Sequence, residues 1–455
     1  MISFLDVLER ATTGPMMSAR EYDMKVFIPA VREVVKKYKI VFDPQNPCPS
    51  DDDLADRVYQ AGVELYSKVG TYCTDTERII RFTREEIEEA VYECPKVVYF
   101  GEGPDRVAWH GRMPDDNILP HCHVGSGTNT TEDVALKMVE AYGRITRAKT
   151  TSIPSLTTVG TLNASSASPM EVLAGINMMR IAREGLRRAG RPGMAIIDLH
   201  PSCTSAAATI ASTNPEFGAR KSDGWIIPPH AEFKIDYNSL NQAAYLTSWG
   251  ANIGQEAGPI MGGYAGGPEG AAIVTLAYAF HGILVIRATY HLTYPIQMIP
   301  VCSTTPEMIY VISTSSQAFA RNVRAPYYAL GYASAGPATK QYFYEAAAYL
   351  LAIQSSGIGI EDVHPNKAVG TNQALPIDSE FTCSFGHGNV GITRKDANSI
   401  IRKLMEVYLA AIKSPPKGRD LNQCYDLQTM KPDDQLRKLY DEVIRELKGY
   451  GINFK

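Results

Sequence analysis

The sequence predicts an α/β fold of the TIM (β/α)8 barrel class, with helical additions at both ends, on three observations. A unit of helix, tight Gly/Pro turn, short apolar run and polar end lies between Ala189 and Ser202. There Gly190 takes the place that follows a helix, and Met194–Ile197 runs into Asp198, His200 and Pro201. Strand and helix patterns then alternate along the chain, giving about eight strand candidates. Finally, 455 residues suffice for one large barrel core with additions.

Residues 1–115 read as a helical N-terminal extension. Ala30–Tyr38 and Asp53–Val69 carry helical apolar spacing, the second behind Asp51 and Asp52, whose charges suit a helix start. Thr83-Arg-Glu-Glu86 is a capping box, with Phe82 and Ile87 placed as a hydrophobic staple, and Val97–Phe100 reads as a strand. Residues 116–413 read as the barrel. Its strand candidates are Leu119–Gly127, Thr151–Val159, Met194–Ile197, Gly258–Gly263, Ile283–Thr289, Pro326–Leu330 and Gly357–Val363. Helices are expected from Thr130, from the capping box Ser168-Pro-Met-Glu171, over Pro268–His281, Glu307–Asn322 and Ala338–Ser355, and from Arg394 to Lys413. Residues 414–455 read as a C-terminal helical extension, opened by Ser414-Pro-Pro-Lys-Gly418 and closed by a helix over Asp433–Gly449.

A net charge of −4 argues against nucleic acid or an anionic membrane as partner. The start has no basic segment and no cleavage site, so no signal peptide is expected. The longest apolar run, Ala271–Ile286, is interrupted by His281 and Gly282; it reads as a core helix followed by a core strand, too short to span a bilayer. The eight cysteines are scattered without a Cys-x-x-Cys pair, which fits a reducing cytoplasm.

In barrels the chemistry sits beyond the carboxyl ends of the strands. Asp198 and His200 share parity at such an end and are the first candidates. His291, read as ending the strand Ile283–Thr289, is another mouth residue. Tyr294, Tyr327 and Tyr328 are candidates to line the mouth or to pack. Glu256, ahead of the strand Gly258–Gly263, is read alone as a surface charge or a mouth acid. His121-Cys-His123 puts two imidazoles on one side of a strand, and a metal site there would draw a third ligand from His200, Asp198 or Cys203. No spacing supports that third ligand, and no metal is assigned. Tyr264-Ala-Gly-Gly-Pro-Glu-Gly270 is a close-packed turn or an anion site at a helix start. The residues alone reach a barrel enzyme with a polar mouth.

Several stretches together resemble the monomethylamine methyltransferase family, the corrinoid-dependent enzymes that normally carry pyrrolysine. They are Thr71-Tyr-Cys-Thr-Asp-Thr-Glu-Arg-Ile-Ile80, Ala189-Gly-Arg-Pro-Gly-Met194, Pro259-Ile-Met-Gly-Gly-Tyr-Ala-Gly-Gly267, and Cys424-Tyr-Asp426 after Ser414–Gly418. The resemblance covers nearly the whole chain in order. It implies a TIM barrel, a hexameric homo-oligomer, and transfer of a methyl group to a separate corrinoid protein, with no cofactor held tightly by this chain. It sets the pyrrolysine position on Ile197, one accompanying glutamate near Ile226, a glutamine near Pro326, the second glutamate on Glu256, and the family's Trp-His on Tyr290-His291. With an aliphatic residue in place of pyrrolysine, the expected donor is an N-methylated compound, methylamine-like or quaternary ammonium, that is either already activated or protonated at its leaving atom by a protein acid. Catalytic roles then fall to Glu256, Asp198, His200 and His291, and substrate contacts to Ile197, Tyr264, Tyr290 and Tyr328. The competing expectations are a metal-dependent barrel hydrolase or lyase and a non-catalytic relative.

Overall fold

The computed structural model describes residues 2–197, 204–366 and 370–455. Eight parallel strands form its centre: β1 (His123–Val124), β2 (Thr150–Thr151), β3 (Ala195–Ile196), β4 (Gly224–Ile227), β5 (Asn252–Ala257), β6 (Tyr290–Thr293), β7 (Tyr327–Ala329) and β8 (Gly359–Ile360). Parallel pairing joins β1 to β2 to β3, and β4 through β8 in sequence. A parallel bridge between Cys122 and Ile360 links β8 back to β1. Between β3 and β4 the contact is made by a side chain, because the Ile196 N–H donates to the Asp223 carboxylate at 3.0 Å. Asp223 is fully buried and also takes Arg183 and the Arg220 N–H. Burial pushes its carboxyl up, and the Arg183 guanidinium pulls against that.

A helix follows each strand: α1 (Glu132–Gly143), α2 (Pro169–Arg188), α3 (Ala206–Ser212), α4 (Tyr237–Trp249), α5 (Pro268–His281), α6 (Pro306–Asn322), α7 (Lys340–Ser355) and α8 (Pro376–Gly388). Local sequence sets their ends. Ser168 caps α2 by accepting from the Glu171 N–H, and Gly190 closes the turn after it at φ +77°. The N-terminal helices Ile28–Lys37 and Asp52–Val69 lie against α5, so α5 is covered on all sides. The hairpin Val97–Phe100/Val107–His110 passes under the barrel.

Three strand expectations change. Ile283–Thr289 is not a strand: the helix runs on through a π-helical segment to Ile286, and the strand begins at Tyr290. Gly282 was read as a break, yet it sits at φ −57° and its missing Cβ leaves room for Gln255. The stretch Pro268–Ile286 is thereby long and apolar enough to cross a bilayer, although 94% of its most apolar window is buried within the fold. A helix buried all round has no amphipathic period to separate it from a strand. The fifth barrel strand is Asn252–Ala257, upstream of the expected Gly258–Gly263, so Glu256 lies within a strand. Gly224–Ile227 belongs to the ring, whereas Val97–Phe100 does not.

Candidate active site

The strands alternate, so every second residue faces the lumen. The inward set forms a second apolar cluster apart from the main core: Ala195, Ile197, Ile226, Tyr290, Leu292, Tyr328 and Leu330, with Val98, Phe100 and Trp109 of the hairpin beneath. The layers are fixed by size. At the bottom the Tyr290 ring extends across Gly254 and Gly224, where a Cβ would stand 2.5 and 2.3 Å from it. Trp109 stacks on His121 at 4.0 Å and 9°, and Phe100 meets Tyr290 edge-on at 5.3 Å. Above lies Tyr328, fully buried, 5.1 Å from Trp109 and 5.4 Å from His123.

His121 Nε2 and both His123 ring nitrogens meet hydroxyls. Thr150 Oγ1 meets His121 Nε2 at 2.9 Å and His123 Nδ1 at 2.8 Å, and Ser152 Oγ meets His123 Nε2 at 2.8 Å. Burial, with His123 adjacent, holds the His121 imidazole neutral well below its usual range. Among the described residues, no three His, Cys, Asp or Glu side chains are grouped to hold a metal ion.

The top layer is different in chemistry. Glu256, Tyr294 and Tyr332 are half-buried there, over fully buried residues. Glu361 and His364 stand beside them, 3% and 7% exposed. Tyr332 meets Tyr294 at 6.3 Å and His364 at 5.6 Å, both edge-on. Burial raises both tyrosine hydroxyls; the Glu256 charge raises both further, and Glu361 adds to Tyr332. The charges of Glu256 and Glu361 thus both act on the Tyr332 hydroxyl. Burial, with His123 nearby, drops the His364 imidazole to about 3, so it stays neutral. Its Nε2 is buried without a hydrogen-bond partner. Carboxylates with aromatic faces make a receptor for an ammonium cation.

A sequence model of the family described as monomethylamine methyltransferase MtmB matches residues 2–452. The chain belongs to the monomethylamine methyltransferase family. It is 28% identical over 451 residues to monomethylamine methyltransferase MtmB2 of Methanosarcina barkeri, covering 99% of this chain and 98% of that one. It is 27% identical over 455 residues to MtmB of Methanosarcina mazei, with the same coverage. The crystal structure of the Methanosarcina barkeri monomethylamine methyltransferase superposes with a TM-score of 0.94 at 26% identity, covering 99% of this chain and 98% of that chain. The structure of a hydroxylamine MtmB complex superposes equally well, at TM-score 0.94 and 26% identity.

Against this family frame, the expected site residues divide. Ile197 follows β3 directly, fully buried and inward, in one cluster with Ile226. Glu256 faces the mouth. Asp198, His200 and Cys203 lie outside the described residues. His291 does not reach the mouth: it is second in β6 and points outward, edge-on to Phe319 of α6 at 5.4 Å. The misplaced strand explains the error, since a residue taken as the end of one strand is the start of another. For the same reason Tyr290 is a bottom-layer residue. Tyr328 lines the lumen below the mouth, and Tyr327 packs outward on Phe319 at 4.1 Å. Tyr264 is 45% exposed and lines a separate groove of about 490 Å³ against Ile28, Val31 and Val35, away from the barrel axis. Pro326 precedes β7 and its carbonyl accepts from the His291 N–H, so the mouth residue of that strand is Tyr332. Sequence reading missed Tyr332, Glu361 and His364. Parity was the available signal: Glu361 is two residues beyond Gly359, which faces Trp109.

Proposed function

We propose that this chain moves a methyl group from an N-methylated, positively charged substrate to the Co(I) corrinoid of a partner protein, without pyrrolysine. One observation carries the reading: Ile197, which stands at the family's pyrrolysine position in the resemblance, is a buried aliphatic residue facing the same lumen as Glu256. The acceptor supplies a strong metal nucleophile. The methyl carbon leaves nitrogen, and the C–N electron pair stays with nitrogen. A neutral amine would depart as an amide anion, whereas a cationic nitrogen departs as a neutral amine. An aliphatic Ile197 offers no electrophile to activate a neutral amine, so the charge must already be on the donor.

The chain's own residues fit that demand. Glu256 and Glu361 supply negative charge, and the Tyr294 and Tyr332 rings supply faces for an N-methyl cation. His364, held neutral, adds no competing positive charge. A silent relative would turn Glu256 away from the lumen, and here it faces in. A metal-dependent hydrolase would need His121 and His123 as ligands, and here His121 Nε2 and both His123 nitrogens are engaged with the Thr150 and Ser152 hydroxyls.

The test is a donor panel with cob(I)alamin, followed by loss of the Co(I) spectrum. Tetramethylammonium-type and betaine-type donors should react at a rate independent of pH, and monomethylamine only as its protonated form, so its rate should fall as pH rises through about 10. Faster reaction of monomethylamine at high pH, as the neutral amine, would overturn the proposal, as would no reaction with any donor, free or protein-borne corrinoid being supplied.

A further inference from the structure

Two mouth loops build a small sheet on the barrel rim. Ile260–Met261, three residues beyond β5, pairs in parallel with Ile296–Met298, which follows β6, and Val301–Cys302 closes the sheet antiparallel. Register puts Ile260 beside Ile296 and Met298 beside Val301, so these four share one face. The other face is anchored in the protein: Gln297 accepts from Thr305 at 2.9 Å, and Cys302 is fully buried. The shared face is not covered. Ile260 is 40% exposed, Met298 52% and Val301 46%, while Ile299 at the hairpin tip is 92% exposed.

A sheet with one solvated face normally alternates, polar side outward. Here every outward residue of the sheet is aliphatic, and such patches mark contact surfaces. The exposed parts of these side chains amount to roughly half of the ~800 Å² that each partner buries in a standard interface. That is too little for a permanent second copy and suited to a transient partner. Location selects the partner. The sheet grows from the strand that carries Glu256 and the strand that runs into Tyr294, so a macromolecule bringing a reactive group to the mouth comes within reach of this part of the rim.

The geometry points to the face Ile260–Met298–Val301, with Ile299 at its tip, as the apolar dock for the protein that carries the methyl acceptor. This rests on the proposed function, and the test separates the two. Ile299→Asp and Met298→Asp place a charge on exposed positions, and Leu5→Asp, on the distant N-terminal helix, is the control. Binding of a Co(I)-loaded corrinoid protein of the methylamine class is measured by calorimetry, and methyl transfer is measured to that protein and to free cob(I)alamin. Both rim variants should bind at least tenfold more weakly and transfer more slowly to the protein. They should keep the wild-type rate with free cob(I)alamin, and Leu5→Asp should match wild type throughout. Wild type that binds but transfers nothing would overturn the function alone. Rim variants that bind and transfer like wild type would overturn the dock alone, as would a wild type that fails to bind. A fall in molar mass of the rim variants by light scattering would assign the face to a second copy and overturn the dock.

Discussion

At the scale of residues, the mouth and the strand–helix layer make different demands on charge. Glu256 sits where a cation would be held. Glu256→Gln keeps shape and removes the charge; we expect kcat/KM for the reacting donor to fall about 100-fold, with the urea midpoint unchanged. An effect confined to stability would remove Glu256 from the site. The buried histidines predict a pH effect. His281, His291 and His364 are each held down to about 3 by burial. Unfolded, they take a proton near 6.5, so the unfolded chain binds more protons between pH 6.5 and 3. Stability therefore falls as pH falls through that window, by about 2 kcal/mol per histidine at pH 5. Asp362, pushed up to about 7 by burial, works the other way. Its stabilisation is full below pH 3.8 and is lost as pH rises through 7, so it offsets about one histidine at pH 5. These histidines predict a lower urea midpoint at pH 5 than at pH 7; His121, lowered by burial, widens the difference, and Asp223, Glu232 and Asp378, raised by burial like Asp362, narrow it. Ile197 and Glu256 were legible from the family pattern. Glu361 and His364 were not, because a lone acid or imidazole near a strand end declares no partner until the neighbouring strand is placed.

At the scale of elements, small residues decide which strands face the lumen. Gly254 lies under the Tyr290 ring, so Gly254→Ala should cost about 2 kcal/mol by overpacking. Tyr290→Leu, which removes the opposing ring, should recover part of that loss in the double variant, as read by chemical denaturation. Additive losses would show that the ring does not occupy that space. The capping boxes and Gly190 were plain in the sequence, because each is a local rule complete within four residues. The strand Asn252–Ala257 was not plain. Its inner side carries a glycine and a glutamate, and its apolar partners come from β6. The run ending at Ile286 misled for the converse reason: with apolar groups on every side, it offered composition but no period.

At the scale of the whole molecule, the barrel was legible as an alternation and a count, though three of the strands behind that count were misplaced. Gly224–Ile227 is a four-residue run before Pro228 and Pro229, too short to stand out, and its place in the ring depends on Asp223. That carboxylate bridges β3 to β4 where, among the described residues, no ladder is formed. Asp223→Ala should lower stability by about 3 kcal/mol, since it strands Arg183 and the Ile196 N–H. Amide exchange should accelerate at Ile196 before it does at β5 and β6. Exchange that accelerates uniformly would show that the seam has no separate role.

The hairpin carrying Trp109 packs against the lower end of the lumen: Phe100, Trp109 and Tyr290 are 0–2% exposed there and close that end among the described residues. A chamber closed at that end would impose an order on its traffic under the proposed function: the donor would enter first, the acceptor protein would then cover the mouth, and the spent amine would wait inside until that protein departs. Excess acceptor protein should therefore slow turnover, the reverse of what an open-ended channel would give.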